Sequence, residues 1–233
     1  MFLYIKMYFC LNSKIIMTLS EEDYLKEIYH LGKSSDEAVS TNAIAEQMNM
    51  KPSSVTDMVK KLAEKDFVKY KKYQGVFLTE KGRVIALSII RKHRLWEVFL
   101  VEKLAFSWDE VHEVAEQLEH IKSDKLIDRL DKHLGFPKFD PHGDPIPNKN
   151  GVITLASKQL IENSAIGLKG ICVGVKDSSK AFLKFLDKHG ISLGDEISIV
   201  EKEEFDGSYI IQINGKNLFI SNQIAANLYV QVI

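Results

Sequence analysis

The sequence is poor in cysteine and proline and has no apolar segment long enough to cross a bilayer. Its two cysteines, Cys10 and Cys172, form no motif, so a disulfide framework is not expected. The apolar start, residues 1–16, is shorter than the ~20 residues that a membrane helix needs, and Lys6 and Lys14 interrupt it. It also lacks a small-residue cleavage site, so a signal peptide is not expected. These absences predict a cytoplasmic protein with no membrane partner.

The segment from Met17 onward begins like a folded domain. Ser20 can cap a helix whose first turn holds acidic residues at positions 21–23, where negative charge complements the helix dipole. The sequence therefore predicts that translation starts at Met17 or that residues 1–16 are poorly ordered. In either case those residues are predicted to be an N-terminal extension of the folded protein, and a start at Met17 would mean that they are not native to it.

Charge is balanced over the whole chain but segregated locally. The net charge is −1, yet residues 51–94 hold 12 lysines and arginines against 4 acidic residues, whereas residues 95–147 hold 6 against 12. A basic segment suits phosphate groups, and an acidic segment suits metal ions. The pattern favours a nucleic-acid-binding domain followed by a metal-binding domain.

Two short stretches with helical spacing of apolar residues lie between positions 41 and 67. The break between them falls at residues 49–51, and Pro52 suits the first position of the second helix. Two helices joined by so short a turn are typical of a helix-turn-helix. The apolar positions are Ile44, Ala45 and Met48 in the first helix and Val55, Met58, Val59 and Leu62 in the second.

The second of these helices also has a polar face that could enter a major groove. Behind it, strand-like residues flank Gln74-Gly75 and predict a β-hairpin, the wing of a winged helix. We therefore predict a winged-helix DNA-binding domain over residues 17–79. Its predicted DNA-binding residues are Lys51, Pro52, Ser53, Ser54, Thr56, Asp57 and Lys60 from the helix and Lys71 and Lys72 from the hairpin.

Potential metal ligands recur at helical spacing in the segment VHEVAEQLEHIKSD. Offsets of three and four residues return to the same helix face, so the pattern predicts that His112, Glu116, Glu119 and His120 face one point. Carboxylates and imidazoles gathered there suit a divalent cation, and oxygen and nitrogen ligands suit Mn²⁺ or Fe²⁺. The alternative is a solvated face of an amphipathic helix.

Residues 80–135 have helical periodicity, with two or three helices expected. Their apolar stripe is long for helices that pack only on one another, which favours a homodimer interface. The stripe consists of Leu95, Phe99, Leu100, Leu104, Val111, Val114, Leu118, Ile121, Leu126 and Leu130.

The composition changes after these helices. Four of the five prolines fall within eleven residues, at positions 137–147, so residues 138–151 are predicted to be a structured linker. Short β-runs then alternate with tight turns and one helix near residues 180–189. They predict a small SH3-like (FeoA-like) domain over residues 152–233. The predicted fold class is mainly α with a small β domain.

Two other functions compete with metal-controlled DNA binding. Carboxylates and histidines on helices also build di-iron enzymes, but those need ligands from four helices around one core, and a winged helix has no role there. An enzyme is therefore not expected. The remaining alternative is a winged-helix regulator that is not controlled by metal and responds to an organic ligand or to nothing.

The order of these segments resembles the diphtheria-toxin-repressor family of metal-dependent transcriptional regulators, and within it the three-domain manganese-responsive (MntR-like) branch. The resemblance runs from about Thr18 to the C-terminus. It is carried by five motifs: SEEDYLKEIY at 20–29, KPSSVTDMVKKL at 51–62, KHRLWE at 92–97, HEVAEQLEH at 112–120 and PHGDPIP at 141–147.

The resemblance implies two metal sites. The iron-responsive branch has a cysteine at the position of Glu116, and the harder carboxylate here favours Mn²⁺. Lys26 stands where the short two-domain manganese regulators have a glutamate, which speaks against their two-metal cluster. The implied primary site consists of Asp23, Glu116, Glu119 and His120, and the implied ancillary site of His93, Glu97, His112, Asp140, His142 and Asp177.

The resemblance also implies a helical dimerisation and metal-binding domain over residues 80–137. The function that it implies is a homodimeric repressor of metal-uptake genes that binds a palindromic double-stranded operator with Mn²⁺ as corepressor. Fe²⁺ and Zn²⁺ are the alternative ions. An iron-responsive repressor of the same family is the alternative function.

Overall fold

The computed structural model describes residues 17–32, 38–154 and 157–233. The expectation about residues 1–16 falls outside these ranges. The chain divides into two compact units, one ending at Leu87 and the other running from Ser88 to Ile233, with the division inside a long helix. The domain boundaries given by the sequence stay predictions.

The described residues form eight α-helices and eight strands. The helices are α1 (Leu19–Leu31), α2 (Thr41–Gln47), α3 (Pro52–Glu64), α4 (Glu80–Leu104), α5 (Val111–Leu118), α6 (Asp124–His133), α7 (Lys180–Lys188) and α8 (Asn222–Ala225). The strands are β1 (Val68–Lys71), β2 (Gly75–Leu78), β3 (Gln159–Leu160), β4 (Lys169–Val175), β5 (Glu196–Lys202), β6 (Tyr209–Ile213), β7 (Lys216–Ile220) and β8 (Leu228–Val232).

Helix α1 begins with a capping box. The Thr18 hydroxyl accepts a hydrogen bond from the Glu21 N–H, and the Glu21 carboxylate accepts one from the Thr18 N–H. The prediction that Ser20 caps this helix is therefore wrong. Thr18 takes that position because the glutamate three residues later completes the reciprocal pair.

The predicted helix-turn-helix is confirmed. Helix α2 ends in a turn in which Asn49 has a positive φ of 51°, and Pro52 is the first residue of α3. The apolar faces of α1, α2 and α3 pack into one core together with the hairpin. The buried members of this core include Tyr24, Leu25, Ile28, Ile44, Val55, Val59, Leu62, Phe67, Val68 and Val76.

The hairpin is also confirmed, but its turn differs from the prediction. Strands β1 and β2 pair antiparallel with Lys71 opposite Gly75, so the turn consists of residues 72–74. Gln74-Gly75 was predicted as the turn, and that register is wrong. Tyr73 takes the left-handed conformation at φ 68°. Gly75 has a φ of 113°, and a Cβ added to it would lie 2.9 Å from the Val39 carbonyl oxygen, so the turn requires glycine there.

Residues 80–135 form three helices, α4, α5 and α6, which agrees with the prediction of two or three. Helix α4 ends where Ala105 adopts a left-handed φ of 56°, and α6 begins where the Ser123 hydroxyl accepts from the Leu126 N–H. Their core contains Leu95, Val98, Leu100, Val111, Ala115, Ile127 and Leu130. Leu104 and Leu126 of the predicted apolar stripe are exposed in the single chain.

The β domain is a six-stranded antiparallel sheet with the order β3-β8-β4-β5-β6-β7. Apolar runs in the sequence at residues 171–175, 196–200, 209–213 and 217–220 predicted β4, β5, β6 and β7, and α7 was predicted near residues 180–189, whereas β3 and β8 were not predicted. Strand β8 is the last in the chain, yet it lies between β3 and β4. The sheet and α7 enclose a core that includes Ile161, Cys172, Leu183, Leu186, Ile197, Ile211 and Val230.

Candidate metal centre and DNA-binding surface

His93 lies at the centre of a cluster of buried ionisable groups in the second unit. Helix α4 carries it together with Glu97, one turn later on the same face. Both side chains are buried, as is Glu119, which follows the last residue of α5.

The two ring nitrogens of His93 face two different carboxylates. Nδ1 lies 2.6 Å from a Glu119 oxygen, and Nε2 lies 3.0 Å from Glu97 Oε1. Nε2 is also 3.2 Å from Nδ1 of His112, whose ring packs edge-on against His93. His112 Nδ1 is 3.5 Å from Glu97 Oε1. Three potential ligand atoms, from His93, Glu97 and His112, therefore form a triangle.

This triangle fits a divalent ion. Two atoms that each bind one ion at about 2.1 Å lie roughly 3.0–3.4 Å apart, and the three distances above are close to that range. His93 would donate its other ring N–H to Glu119, which is how a carboxylate commonly orients a metal-bound histidine. The predicted ancillary residues His93, Glu97 and His112 are thus brought together.

Protons stabilise the cluster in the metal-free protein. Burial disfavours charged His93, but hydrogen bonds to Glu119 and Glu97 outweigh it and raise the pKa of His93 to about 9. Burial likewise disfavours ionised Glu97, but the neighbouring imidazoles of His112, His142 and His93 outweigh it and bring the pKa of Glu97 well below the usual value. At neutral pH the cluster therefore holds an imidazolium between carboxylates.

The second oxygen of Glu97 faces a loop that supplies Asp140 and His142. His142 Nδ1 lies 3.7 Å from Glu97 Oε2, and its Nε2–H donates to the Trp108 carbonyl oxygen at 2.8 Å. Burial opposes protonation of His142, but the Glu97 carboxylate outweighs it and raises the pKa of His142 to about 9. Glu97, Asp140 and His142 form a second buried group of possible ligands.

Arg94 and Trp108 support this loop and were missed by the sequence analysis. The Arg94 guanidinium lies 3.3 Å from Asp140 and 3.4 Å from Asp144, and it donates to the Pro145 carbonyl oxygen at 2.6 Å. Trp108 contributes its backbone carbonyl oxygen, which leaves no signature in a sequence, and its ring lies nearly parallel to that of His142 at 6.5 Å between centroids. Arg94 directly follows His93 in the KHRLWE motif, and that adjacency was the available signal.

The four residues of the VHEVAEQLEH run do not gather at one point, contrary to the prediction. Helix α5 ends at Leu118, and Glu119 is its C-cap, with its N–H still donating to the Ala115 carbonyl oxygen. Glu116 and Glu119 group with His93, whereas His112 groups with His93 and Glu97. His120 Nε2 lies 4.0 Å from Glu119. His93 therefore connects two ligand groups that the sequence presented as one.

The other two predicted ligands are Asp23 and Asp177. Asp23 lies on helix α1 of the first unit. Asp177 is exposed in the β domain, where its carboxylate accepts from the Ser179 N–H just before α7. Among the residues that the structure describes, Asp177 belongs to none of the possible ligand groups. Its ligand role stays a prediction.

Helix α3 and the hairpin present the predicted DNA-binding residues to solvent. All of them are exposed except Thr56, which is half-buried and donates its hydroxyl to the Pro52 carbonyl oxygen at 2.9 Å. Val55, Val59 and Leu62 fix the opposite face of α3 in the core. The exposed set is Lys51, Pro52, Ser53, Ser54, Asp57, Lys60, Lys71 and Lys72.

Behind this surface, Glu21 ties α1 to the end of α3. Its buried carboxylate lies 2.7 Å from the Lys65 ammonium and 3.1 Å from that of Lys61. Burial disfavours the ionised form, but hydrogen bonds from Lys65, Thr18 and Lys61 outweigh it and lower the pKa of Glu21 to about 2. Lys61 and Lys65 thereby anchor the C-terminal end of α3.

Comparison with known proteins covers most of the chain. Residues 17–76 match the iron-dependent repressor N-terminal DNA-binding domain, and residues 79–148 match the metal-binding and dimerisation domain of the same repressors. Residues 162–232 match the FeoA domain. A solved manganese-dependent transcriptional repressor in complex with manganese is 36% identical, with a TM-score of 0.81, and the match covers 91% of this chain and all of that one. The chain belongs to the iron-dependent repressor family.

Two curated relatives agree with this assignment. MntR of Oceanobacillus iheyensis is 38% identical over 123 residues, which are 53% of this chain and 82% of that protein. An uncharacterized HTH-type transcriptional regulator of Methanocaldococcus jannaschii is 42% identical over 114 residues, 49% of this chain and 91% of that protein. Both matches involve regulators, so the expectation that this chain is not an enzyme is confirmed.

Membership of the iron-dependent repressor family confirms the predicted fold and the general function. The chain is a metal-dependent transcriptional repressor with a DNA-binding domain, a dimerisation domain that binds divalent metal, and a FeoA domain. Within residues 17–32, 38–154 and 157–233, no helix combines the length and apolar character that a membrane span requires.

Proposed function

We propose that this repressor responds to Mn²⁺ and binds a palindromic operator as a homodimer, with metal as corepressor. The buried cluster around His93 carries the proposal. Three histidines and three carboxylates approach one another there, all of them buried except the exposed His112. Burying five ionisable groups is costly unless a cation or protons balance them. The six residues are His93, Glu97, His112, Glu119, Asp140 and His142.

The donor atoms favour Mn²⁺ over thiophilic ions. The cluster offers imidazole nitrogens and carboxylate oxygens, which suit Mn²⁺ and Fe²⁺. Glu116 adds a hard carboxylate where the iron-responsive branch is expected to have a cysteine. Affinity alone does not fix the ion, because Zn²⁺ binds most such sites more tightly than Mn²⁺ and cellular supply decides between them.

We assign the primary site to Asp23, Glu116, Glu119 and His120, as the resemblance implies. Within the second unit, the grouping of Glu116 with Glu119 supports this assignment. Asp23 belongs to the DNA-binding domain and the other three residues to the metal-binding domain. Ligation by all four would therefore restrict how the DNA-binding domains of a dimer are held.

That restriction is the proposed link between metal and DNA. The two α3 helices of a dimer must enter major grooves about one helical turn apart, roughly 34 Å, to contact both halves of a palindrome. Metal-free dimers sample other separations and lose affinity for the operator. Because the coupling is reciprocal, bound DNA must tighten metal binding by the same factor.

The ancillary site would act on the same equilibrium without touching DNA. Its proposed ligands His93, Glu97 and His112 come from α4 and α5, whereas Asp140 and His142 come from the linker. Bridging these segments would stabilise the second unit. The target genes that we propose, by resemblance, are those for metal uptake.

The test is a titration of the metal-free protein with Mn²⁺, Fe²⁺ and Zn²⁺, paired with binding to a pool of random duplexes. We expect Mn²⁺ to switch on the selection of a palindromic subset at micromolar or lower free metal. Selection driven by Fe²⁺ but not Mn²⁺ would make this an iron-responsive repressor. Metal binding that leaves DNA selection unchanged would contradict the corepressor role.

A further inference from the structure

The loop that carries His142 has its own internal structure. The Asp140 carboxylate accepts hydrogen bonds from the N–H groups of His142 at 2.8 Å and Asp144 at 2.9 Å, which closes a tight turn over residues 140–144. We call these residues the ligand loop. Its internal bonds set the shape of the turn, but they do not fix where the turn lies relative to Glu97.

Strand β4 of the FeoA domain holds the backbone of the ligand loop. The Val175 N–H donates to the His142 carbonyl oxygen at 2.9 Å. The pairing of β4 with β8 shifts register between Cys172 and Gly174, which marks a β-bulge at the point of contact. Such bulges re-aim a strand locally, here towards the loop.

Two glycines allow the strand and the loop to approach closely. A Cβ on Gly174 would lie 2.8 Å from the His142 carbonyl oxygen and 3.1 Å from the Cα of Gly143. A Cβ on Gly143 would overlap the Val173 carbonyl group, and Gly143 also has a φ of +84°. Any side chain at either position would push His142 away from the strand.

Lys158 holds the loop from a second direction. Its ammonium donates to the Gly143 carbonyl oxygen at 2.9 Å and lies 3.9 Å from the Asp144 carboxylate. The same ammonium lies 4.3 Å from the centroid of the Tyr229 ring on β8. Lys158 therefore connects the ligand loop to strand β8 of the FeoA sheet.

We infer that the FeoA domain positions a metal ligand that it does not itself supply. Strand β4, through Gly174 and Val175, together with Lys158, sets His142 at the distance from Glu97 that joint ligation requires. Metal at the ancillary site would in turn strengthen the attachment of the FeoA domain, because the two equilibria are coupled. The inference rests on the proposed metal-binding function and assigns Lys158 and Gly174 as positioning residues.

The test compares Gly174→Ala with Gly170→Ala in the full chain. Both glycines lie on β4, and a Cβ at either meets a carbonyl oxygen at 2.8 Å. That oxygen belongs to His142 for Gly174 but to Gln231 of strand β8 for Gly170. The two substitutions should therefore disturb the sheet similarly, whereas only the first acts on the ligand loop.

The measurement is equilibrium Mn²⁺ binding followed by the EPR signal of free Mn²⁺, with thermal unfolding as a check of folding. The Mn²⁺ ions whose binding weakens in His142→Ala are assigned to the ancillary site. We expect Gly174→Ala to weaken Mn²⁺ binding at the ancillary site at least about tenfold, because loss of a ligand's supporting contacts commonly has that effect. Gly170→Ala should leave the Mn²⁺ affinity of this site unchanged.

Lys158 provides a second comparison that does not depend on a glycine. Lys158→Met keeps the aliphatic chain beside Tyr229 but removes the donor, and Lys158→Arg keeps a donor. We expect Lys158→Met to weaken Mn²⁺ binding at the ancillary site and Lys158→Arg to leave it unchanged. Equal Mn²⁺ binding in Gly174→Ala, Lys158→Met and the unmodified protein would overturn the inference. Unchanged Mn²⁺ binding in His142→Ala would also overturn it. Neither result would contradict the proposed function, which is tested separately by Mn²⁺-activated DNA selection with the unmodified protein.

Discussion

Helix α3 and the cluster around His93 hold their charges in opposite environments. On α3, Lys60 and Asp57 lie 3.7 Å apart with side chains that are 59% and 79% exposed. In the cluster, the His93 side chain is 10% exposed, and its carboxylate partners Glu97 and Glu119 are buried. The side chains of Lys60 and Asp57 are therefore hydrated, whereas neighbouring side chains fix the buried groups around His93.

This difference suits the two partners. Exposed ion pairs contribute little to stability, so the α3 side chains can exchange solvent for phosphates and base edges at small cost. The buried carboxylates have no solvent to exchange, and they need a cation in place at all times. Protonated His93 fills that role without metal, and the proposed ion would replace its proton.

The largest effect that would test this contrast is expected from Glu119→Ala. The substitution removes a proposed primary ligand and the carboxylate that accepts from His93 Nδ1. We expect the gain in operator affinity on adding Mn²⁺, typically about 5–150-fold in allosteric systems, to disappear. Operator binding by fluorescence anisotropy, with and without Mn²⁺, measures it.

Glu113→Ala is the matched control, because Glu113 is an exposed glutamate on the same helix α5. Circular dichroism and sedimentation should show that both variants fold and dimerise. Undiminished activation by Mn²⁺ in Glu119→Ala would remove this residue from the proposed primary site.

A pH titration tests the claim that protons stand in for metal. With pKa values of about 9, His93 and His142 are protonated at neutral pH, and ligation requires their neutral forms. Mn²⁺ binding at the ancillary site should release up to two protons, so its affinity should rise about 10–100-fold per pH unit between pH 6.5 and 8. Calorimetry in buffers of different ionisation enthalpy measures the release.

His133→Ala should not alter this proton release, because His133 is exposed at the end of α6 and belongs to no candidate ligand group among the described residues. Mn²⁺ affinity that is flat across this pH range would show that the cluster does not exchange protons for metal.

Thr56→Ala probes the other side of the contrast, the α3 surface. If Thr56 reads a base edge, its loss should weaken operator binding by about 1–3 kcal/mol and leave binding to random DNA unchanged. Thr56→Ser retains the hydroxyl, which donates to the Pro52 carbonyl oxygen, and removes only the methyl group. An equal loss on operator and random duplexes would instead indicate a phosphate contact.

The smallest effect is expected from Glu21→Gln, because Lys61 and Lys65 are 49% and 34% exposed and solvent screens them. We expect a loss of up to about 1 kcal/mol in unfolding free energy at pH 7. Since the pKa of Glu21 falls from 4.5 to about 2 on folding, its contribution is present above pH 4.5 and is lost as the pH falls towards 2.

Chemical denaturation of Glu21→Gln and of Glu64→Gln, at pH 7 and pH 3, checks this prediction. Glu64 is an exposed glutamate at the end of α3 and serves as the control. A Glu21→Gln deficit that stays constant down to pH 3 would show that ionised Glu21 is not the stabilising species.

Local signals in the sequence were sufficient for the helix-turn-helix. Pro52 marked the start of α3, the apolar spacing gave its buried face, and the break at residues 49–51 gave the turn. These features act over a few residues and need no distant partner. The same local reasoning failed at Ser20 and at Gln74-Gly75, where a neighbouring residue offered a competing cap or turn.

The ligand cluster shows what local reasoning leaves out. Periodicity placed His112, Glu116, Glu119 and His120 on one face. In the folded chain His112 groups with His93 and Glu97, whereas Glu116 and Glu119 form a different group with His93. Arg94 and the Trp108 carbonyl oxygen act on residues more than thirty positions away, so their roles depend on packing.

The amino-acid sequence by itself determined the types of the elements, the segregation of charge and the inventory of possible ligands. These follow from propensities and spacing within single segments. Only the tertiary structure decided that His93 joins the two ligand groups, that β8 pairs between β3 and β4, and that the FeoA domain holds His142. Contacts between distant residues are set by how whole elements pack, because a buried charge or carbonyl group must find its partner wherever the fold places one.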